Sequence, residues 1–544
     1  MTERAIARVA ITGPVISKME WLLVMASCAA ASLVAIAWSW RNGALLNYGD
    51  AVAHLHIARR VLDSHFPGIT QLGSVWLPLP HILLIPLVQV DGWWANGLAG
   101  VFPSALAYLA ACAGIYRLAR GWLPPLAAAL TLAFFASNPN LLYLQTTAMT
   151  EPLFVCEMIW LTVWLVEWRA SIDAHTRQSA RLLWLIALVL VAAIYTRYDG
   201  WIMAMIAWLA IGITLARRCQ LNSRTFWQAS ALVAAAPAAW FVYNAGAFGD
   251  WLFFMRGPYS AKAIEMRTSV AGFPPHPGWH DPWVAFLFYM KAAEMDSAAL
   301  AGGNTLLAFS LLGASWAWRT ARRHAVAWAL LLALPVPFYA YSIAYGSVPI
   351  FLPVWWPFSW YNLRYGIELL PALALGAGFA TQFCLDAVRH FKRHAKWTNF
   401  AAALLFVLVG LNVFAMVRER PPVYVEGTKI IAAHRPYELE IPPLLRALLA
   451  KRPEGVLLMI TSTDPEIVAL TGIPLRQTIN ESDRGFFRDA LAAPAAHAGF
   501  VLAFDGDEID QAVHAHPAGL TLYRRFSAPG QPAATLYVSD TPGA

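Results

Sequence analysis

Apolar runs long enough to cross a bilayer recur from Trp21 to Met416, and nearly all end at Arg, Lys or a Pro/Gly/Asn cluster. A hydrocarbon core needs about 20 apolar residues per helix. Backbone amides left unpaired there are costly, so such runs must be helical. The pattern gives about eleven spans, near 20–40, 95–116, 123–142, 150–168, 182–197, 201–216, 227–246, 299–318, 325–345, 366–388 and 398–417. Only 13% of the 544 residues are charged and 59% are apolar, against about a quarter charged in soluble proteins. The first run passes for a signal peptide, with Cys28 after Met25-Ala26-Ser27, but it continues through Trp40 and is read as a span.

The net charge of +7 does not point to nucleic acid, because the basic residues sit in short loops between apolar runs. With the N-terminus inside, the alternate loops hold Arg117 and Arg120; Arg169, Arg177 and Arg181; Arg217, Arg218 and Arg224; Arg319, Arg322 and Arg323; and Arg389, Lys392, Arg393 and Lys396. That is the positive-inside bias. An odd number of spans then leaves residues 418–544 outside. The five cysteines, Cys28, Cys112, Cys156, Cys219 and Cys384, show no paired spacing for a disulfide framework or zinc ribbon.

The expected fold is mostly α: a polytopic bundle over 1–417, followed by a small soluble α/β domain over 418–544. Long outer loops run over 41–94, 247–298 and 346–365, and their aromatic content argues against disorder. Residues 50–66 carry Val52, Leu55, Ala58, Val61 and Leu62 with Arg59, Arg60 and Asp63 between them, the pattern of an amphipathic helix on a membrane surface. Residues 75–90, broken by Pro78, Pro80 and Pro86, and 281–297 read as further interfacial segments. In the tail, 455–461, 499–504, 520–526 and 534–538 are strand-like, while 464–470 and 509–514 are helix-like. His514 and His516 have a metal-like spacing but no evident third ligand. No internal repeat and no nucleotide-binding loop is visible.

Charged residues gather at the outer edges of the spans. Asp50 lies just past the first span, where it serves equally as a helix cap or as a carboxylate facing lipid and water together. His54 follows one turn later and His56 two residues beyond, each able to orient a hydroxyl or a metal. Glu151 opens the fourth span, favoured there by the helix dipole, yet an acid at the lipid boundary is also a functional candidate. Arg197 and Asp199 read as an ion pair at a helix end. Arg256, Tyr259 and Lys262, and then Arg364 and Tyr365, form two basic and aromatic sites on the side where cations are scarce. Such groups suit a phosphate as well as a lipid headgroup.

Taken in order, these motifs resemble the GT-C superfamily of membrane glycosyltransferases, the family of protein mannosyltransferases and of the aminoarabinose transferases of lipid A. The match runs over about 40–380. It comprises Asp50, Met149-Thr-Glu-Pro152, Tyr243-Asn244, Phe248-Gly-Asp250, Gly257-Pro-Tyr-Ser-Ala-Lys262 and Asn362-Leu-Arg-Tyr365. The resemblance implies transfer of a sugar from a polyprenyl-phosphate donor to a lipid, glycan or protein acceptor, outside a bacterial inner (plasma) membrane, with inversion. It implies catalytic roles for Asp50 and Glu151, and a phosphate held by Arg364 and Lys262. Membrane lipids are the other partners, and no nucleotide sugar is used directly. A divalent metal ion stays open. Protein mannosyltransferases carry an Asp-Glu pair where Asp50 is followed by Ala51, which argues against protein O-mannosylation. The tail offers no evident acid–base group and is expected to govern acceptor access only. A lipid flippase or transporter is the alternative, although such proteins place their polar groups near the midplane.

Overall fold

The computed structural model describes residues 16–173, 178–268, 274–319, 327–392 and 395–540. Arg177, Arg322, Arg323 and Arg393 of the basic loops lie outside these residues, as does the start of the 325–345 run. Every expected span carries helix: Lys18–Arg41, Leu98–Trp122, Pro125–Ala136, Glu151–Asp173, Gln178–Thr196, Asp199–Ala216, Arg224–Phe248, Gly303–Arg319, Pro335–Tyr345, Leu370–Lys392 and Ala395–Glu419. Eight stretches among the described residues are long and apolar enough to cross a bilayer, and the chain is an integral membrane protein.

The run expected at 123–142 is not one helix. It stops at Ala136 and restarts as Pro139–Leu144, because the Asn138 side chain accepts from the Asn140 and Leu141 amides and so caps a new start. Gly303–Arg319 and Leu370–Lys392 lie nearly backbone to backbone. A Cβ on Gly313 would stand 2.0 Å from the Gly376 carbonyl oxygen, and Ser310 donates to the Leu373 carbonyl at 3.0 Å. Small residues are what permit such an approach between membrane helices.

The helix Gly49–Arg60 corrects an expectation. It does not lie with a wetted polar face on the membrane; Ala51, Val52 and His54 through Arg59 are all buried. At its C-terminal end the helix meets the tail, where Arg60 donates to the Ser482 hydroxyl at 2.8 Å, and just beyond it Asp63 meets the tail as well. Asp63 accepts from Arg59 at 2.9 Å, from the Leu475 amide at 3.3 Å and from Arg476 at 3.1 Å. The helix Pro282–Ser297 likewise exposes Trp283 near its start but buries Ala292 through Ser297.

The tail opens with a long helix, Pro422–Leu449, that was not anticipated. A five-stranded sheet follows in the order β2-β1-β3-β5-β4, with β1 Leu457–Leu458, β2 Thr478–Ile479, β3 Phe500–Phe504, β4 Leu520–Phe526 and β5 Ala534–Ser539. β1 pairs parallel with β2 and β3, whereas β5 pairs antiparallel with β3 and β4. One sheet face, through Leu457, Phe500, Leu502 and Leu536, joins the core of the bundle. The other face, through Leu458, Val501 and Ala503, packs with Ile509 and Val513 as a small core of its own.

Candidate active site

The site is built where helix ends and the long connecting loops meet. Asn362 adopts a left-handed conformation (φ 55°), and a tight 3-10 helix, Leu363–Leu369, follows it. Gly366 in that helix sits so close to the next helix that a Cβ would stand 2.5 Å from the Ala292 carbonyl carbon. This packing fixes the backbone that carries Arg364 and Glu368. Asp50 lies in the first turn of Gly49–Arg60, and Glu151 in the first turn of Glu151–Asp173. Acids are favoured at helix N-termini by the dipole.

Arg364 is the centre of the arrangement. Its Nη2 donates to Asp50 Oδ2 at 2.5 Å, its Nε donates to Glu151 Oε1 at 3.1 Å, and its Nη1 lies 3.6 Å from Glu426 Oε1. Glu151 Oε1 is shared with Arg197, whose Nη1 is 3.5 Å away. Arg197 then reaches Asp199 at 3.4 Å, Glu368 at 3.2 Å and the Tyr339 hydroxyl at 2.7 Å. The Tyr365 ring lies between the two guanidinium groups, 5.0 Å from each, a cation–π arrangement. Two arginines thus serve five carboxylates. The Asp50 side chain is 42% exposed, while Glu151, Glu426, Glu368 and Asp199 are at most 4% exposed. Asp50 is the acid of this cluster that a substrate can reach.

The histidines do other work. His56 bonds the Pro465 carbonyl through Nε2 at 2.7 Å and accepts from Trp94 through Nδ1 at 3.2 Å. Both nitrogens are committed, and the ring fastens the tail. His54 Nδ1 meets His81 Nε2 at 2.8 Å, under the Trp76 ring. Burial pushes both His54 and His56 down to about 4, so both rings are neutral at pH 7.

The second basic site does not join the first. Lys262 is exposed on Ala261–Thr268, Tyr259 is exposed beside it, and Arg256 lies 3.6 Å from Asp250. Among the described residues, no hydrogen bond or ion pair links these three to Arg364. Nor do His514 and His516 gain a partner acid beyond Asp510, and no group of three His, Cys, Asp or Glu is placed to hold a metal ion among the described residues. The carboxylates at the site turn towards Arg364, whose charge would repel a divalent cation at the same point. The donor set does not fit a metal.

Four charged members of the cluster were not assigned from sequence. Arg197 and Asp199 read only as a helix-end ion pair, Glu368 lies one turn beyond Arg364, and Glu426 comes from the tail. Glu368 carries a visible signal, since an acid in an apolar span is a functional candidate by default. Glu426, in Val425-Glu-Gly427 beyond the last span, carries none.

No protein-family model and no curated protein sequence matches the chain. Solved structures do. ArnT from Cupriavidus metallidurans, crystallised with undecaprenyl phosphate, superposes with a TM-score of 0.56 at 13% identity, covering 97% of this chain and 100% of that one. The same protein in its apo state gives 0.52 at 15% identity, covering 97% and 99%. The superposition runs through the bundle and the tail alike, and the chain shares the fold of ArnT, a bundle of the GT-C type.

Proposed function

We propose that the protein transfers a sugar from a polyprenyl phosphate to an acceptor hydroxyl, at the face of the bundle where Asp50 and the tail lie. One observation carries the reading. At the end of a GT-C fold, a single exposed carboxylate is held in place by a buried arginine. Asp50 takes the proton of the acceptor hydroxyl as its oxygen bonds the anomeric carbon. The bond from that carbon to the phosphate oxygen breaks, and the phosphate leaves with the electron pair. A phosphate is already a good leaving group, so the carboxylate and nearby cations suffice. Attack in line inverts the anomeric centre.

The carrier class is supported by the undecaprenyl phosphate bound to ArnT. In this chain all three guanidinium nitrogens of Arg364 already face carboxylates. A phosphate reaching Arg364 therefore competes with Asp50 for Nη2, whereas Lys262 is exposed, as is Arg256 beside Asp250, and both can meet it first. Purified protein should release prenyl phosphate from a prenyl-phosphate sugar in step with glycosylation of a lipid or glycan acceptor. Movement of the intact donor across a vesicle membrane, with no bond broken, would replace this reading with a flippase.

A further inference from the structure

Glu426 is fully buried on Pro422–Leu449, 62 positions beyond Arg364. Its Oε1 accepts the Leu363 amide at 3.3 Å, and its Oε2 accepts the Arg364 amide at 3.2 Å. These amides open the 3-10 helix that carries Arg364, and Asn362 makes no side-chain cap there. The first amides of a helix have no partner within it. Glu426 supplies that partner from a distant element and also stands 3.6 Å from the Arg364 guanidinium.

The same helix is registered against the segment that leads into Asp50. The Tyr48 hydroxyl donates to the Val423 carbonyl at 2.7 Å and lies 3.3 Å from Glu426 Oε2. A Cβ on Gly427 would stand 3.0 Å from the Tyr48 ring, so the two segments touch with no side chain between them. Farther along the tail, Glu466 Oε1 comes within 3.6 Å of where a Cβ on Gly49 would be. The tail thus meets both sides of the Asp50–Arg364 pair.

We propose that Glu426 is a positioning residue of this site: it sets the backbone and guanidinium of Arg364, and through Arg364 the orientation of Asp50. Its catalytic consequence rests on the transfer reading; its structural part does not. The tail is then a component of the site and not only a gate to it.

The test uses the full chain in detergent with Glu426→Gln, Glu426→Ala and, as a control on the same helix, Glu440→Gln. Two quantities are read: amide exchange over residues 363–366, and steady-state transfer from a prenyl-phosphate sugar. Alanine removes the cap, and exchange should rise about tenfold or more as the turn opens locally. Glutamine keeps an acceptor oxygen but not the charge. Exchange should stay within about threefold of wild type, while kcat falls about tenfold or more and KM changes less than about twofold. Glu440→Gln should match wild type in both. A folded Glu426→Ala protein with wild-type exchange overturns the proposal, and so does Glu426→Gln with wild-type kcat. If the alanine variant does not fold, the glutamine variant decides alone. A wild type inactive on every prenyl-phosphate sugar defeats the transfer reading, and the exchange of the alanine variant still judges the positioning.

Discussion

The two ends of the bundle use the same residue types in opposite ways. At one end, Arg120 bonds Glu20 at 2.7 Å and Arg117 bonds Glu167 at 2.7 Å, one acid to each arginine among the described residues, and all four side chains are 13–36% exposed. At the other end of the same helices, Arg364 alone faces three carboxylates and is 5% exposed. Glu167 and Glu151 belong to one helix, Glu151–Asp173, so the contrast is not one of element or composition. It lies in the ratio of acid to base and in the water left to them. A one-to-one pair open to solvent is an anchor. A surplus of buried acid around one cation is hard to keep unless the arrangement has a use, because buried charges lose their hydration.

The largest expected effect separates the exposed acid from its buried neighbours. Asp50→Asn keeps size and an oxygen that can still accept from Arg364 Nη2. The amide cannot take a proton, and losing a general base typically costs about 10²–10⁴-fold in rate. Transfer measured on purified protein should collapse, with thermal stability close to wild type and undecaprenyl phosphate binding no weaker than wild type. Near-normal turnover would reduce Asp50 to an ion-pair partner of Arg364 and place the base outside this pair.

Arg364→Ala should act on the fold as well. It leaves Glu426 buried without its cation and Glu151 with only Arg197, 3.5 Å away, and breaking one side of a buried ion pair typically costs about 3–5 kcal/mol. Chemical or thermal unfolding in detergent reads this directly. A variant as stable as wild type would mean that the carboxylates take up protons freely, and that the cluster is looser than its distances indicate.

Much of this architecture was legible because bilayer thickness imposes a length on each span. Asp50, Glu151 and Arg364 stood out as charges at span ends. What escaped has physical reasons. Pro436, Pro442 and Pro443 interrupt the helical pattern of Pro422–Leu449, so that helix reads as a loop and Glu426 has no visible place. Hydrophobic periodicity in Gly49–Arg60 shows a polar face but cannot say whether water or another domain covers it. Strand β1 is only Leu457–Leu458, although the apolar run around it is longer. Asn138-Pro139 resets a helix at a polar break only four residues long, Ser137 to Asn140, inside an otherwise apolar run. Contacts between residues hundreds of positions apart, such as Arg364 with Asp50, follow from packing and not from any local pattern.

A third test concerns the tail's own acids. Burial pushes Glu466 up from 4.5 to about 8, with Glu438 and Asp464 nearby adding to the rise. The folded protein thus favours the protonated form. That stabilisation is complete below about 4.5 and is lost as pH rises through about 8. The melting temperature should therefore fall between about pH 5 and pH 8, and Glu466→Gln should flatten the fall. Asp483, pushed up to about 6, works in the same direction and remains in the variant, so the slope shrinks without vanishing. An unchanged slope would remove Glu466 from the docking of the tail.

The smallest expected effect bears most directly on the two ends. Arg120→Ala removes one arginine from one carboxylate, as Arg364→Ala does from three. Glu20 keeps the Tyr116 hydroxyl, which donates to it at 2.6 Å, and its side chain remains 24% exposed. Water and tyrosine can therefore take over what the arginine supplied to Glu20, and that carboxylate is not stranded. Ion pairs of this kind contribute about 0–1 kcal/mol. Part of any loss would come from the arginine stem, which packs along the helix whatever its charge does. Arg120→Lys separates the two contributions, since it restores charge and most of the stem without the planar fork. Alanine should lower stability by about 1 kcal/mol or less, and lysine should recover most of it. An Arg120→Ala protein that unfolds as readily as Arg364→Ala would show both ends to be structural to the same degree. Surplus acid would then no longer distinguish the site from the anchor.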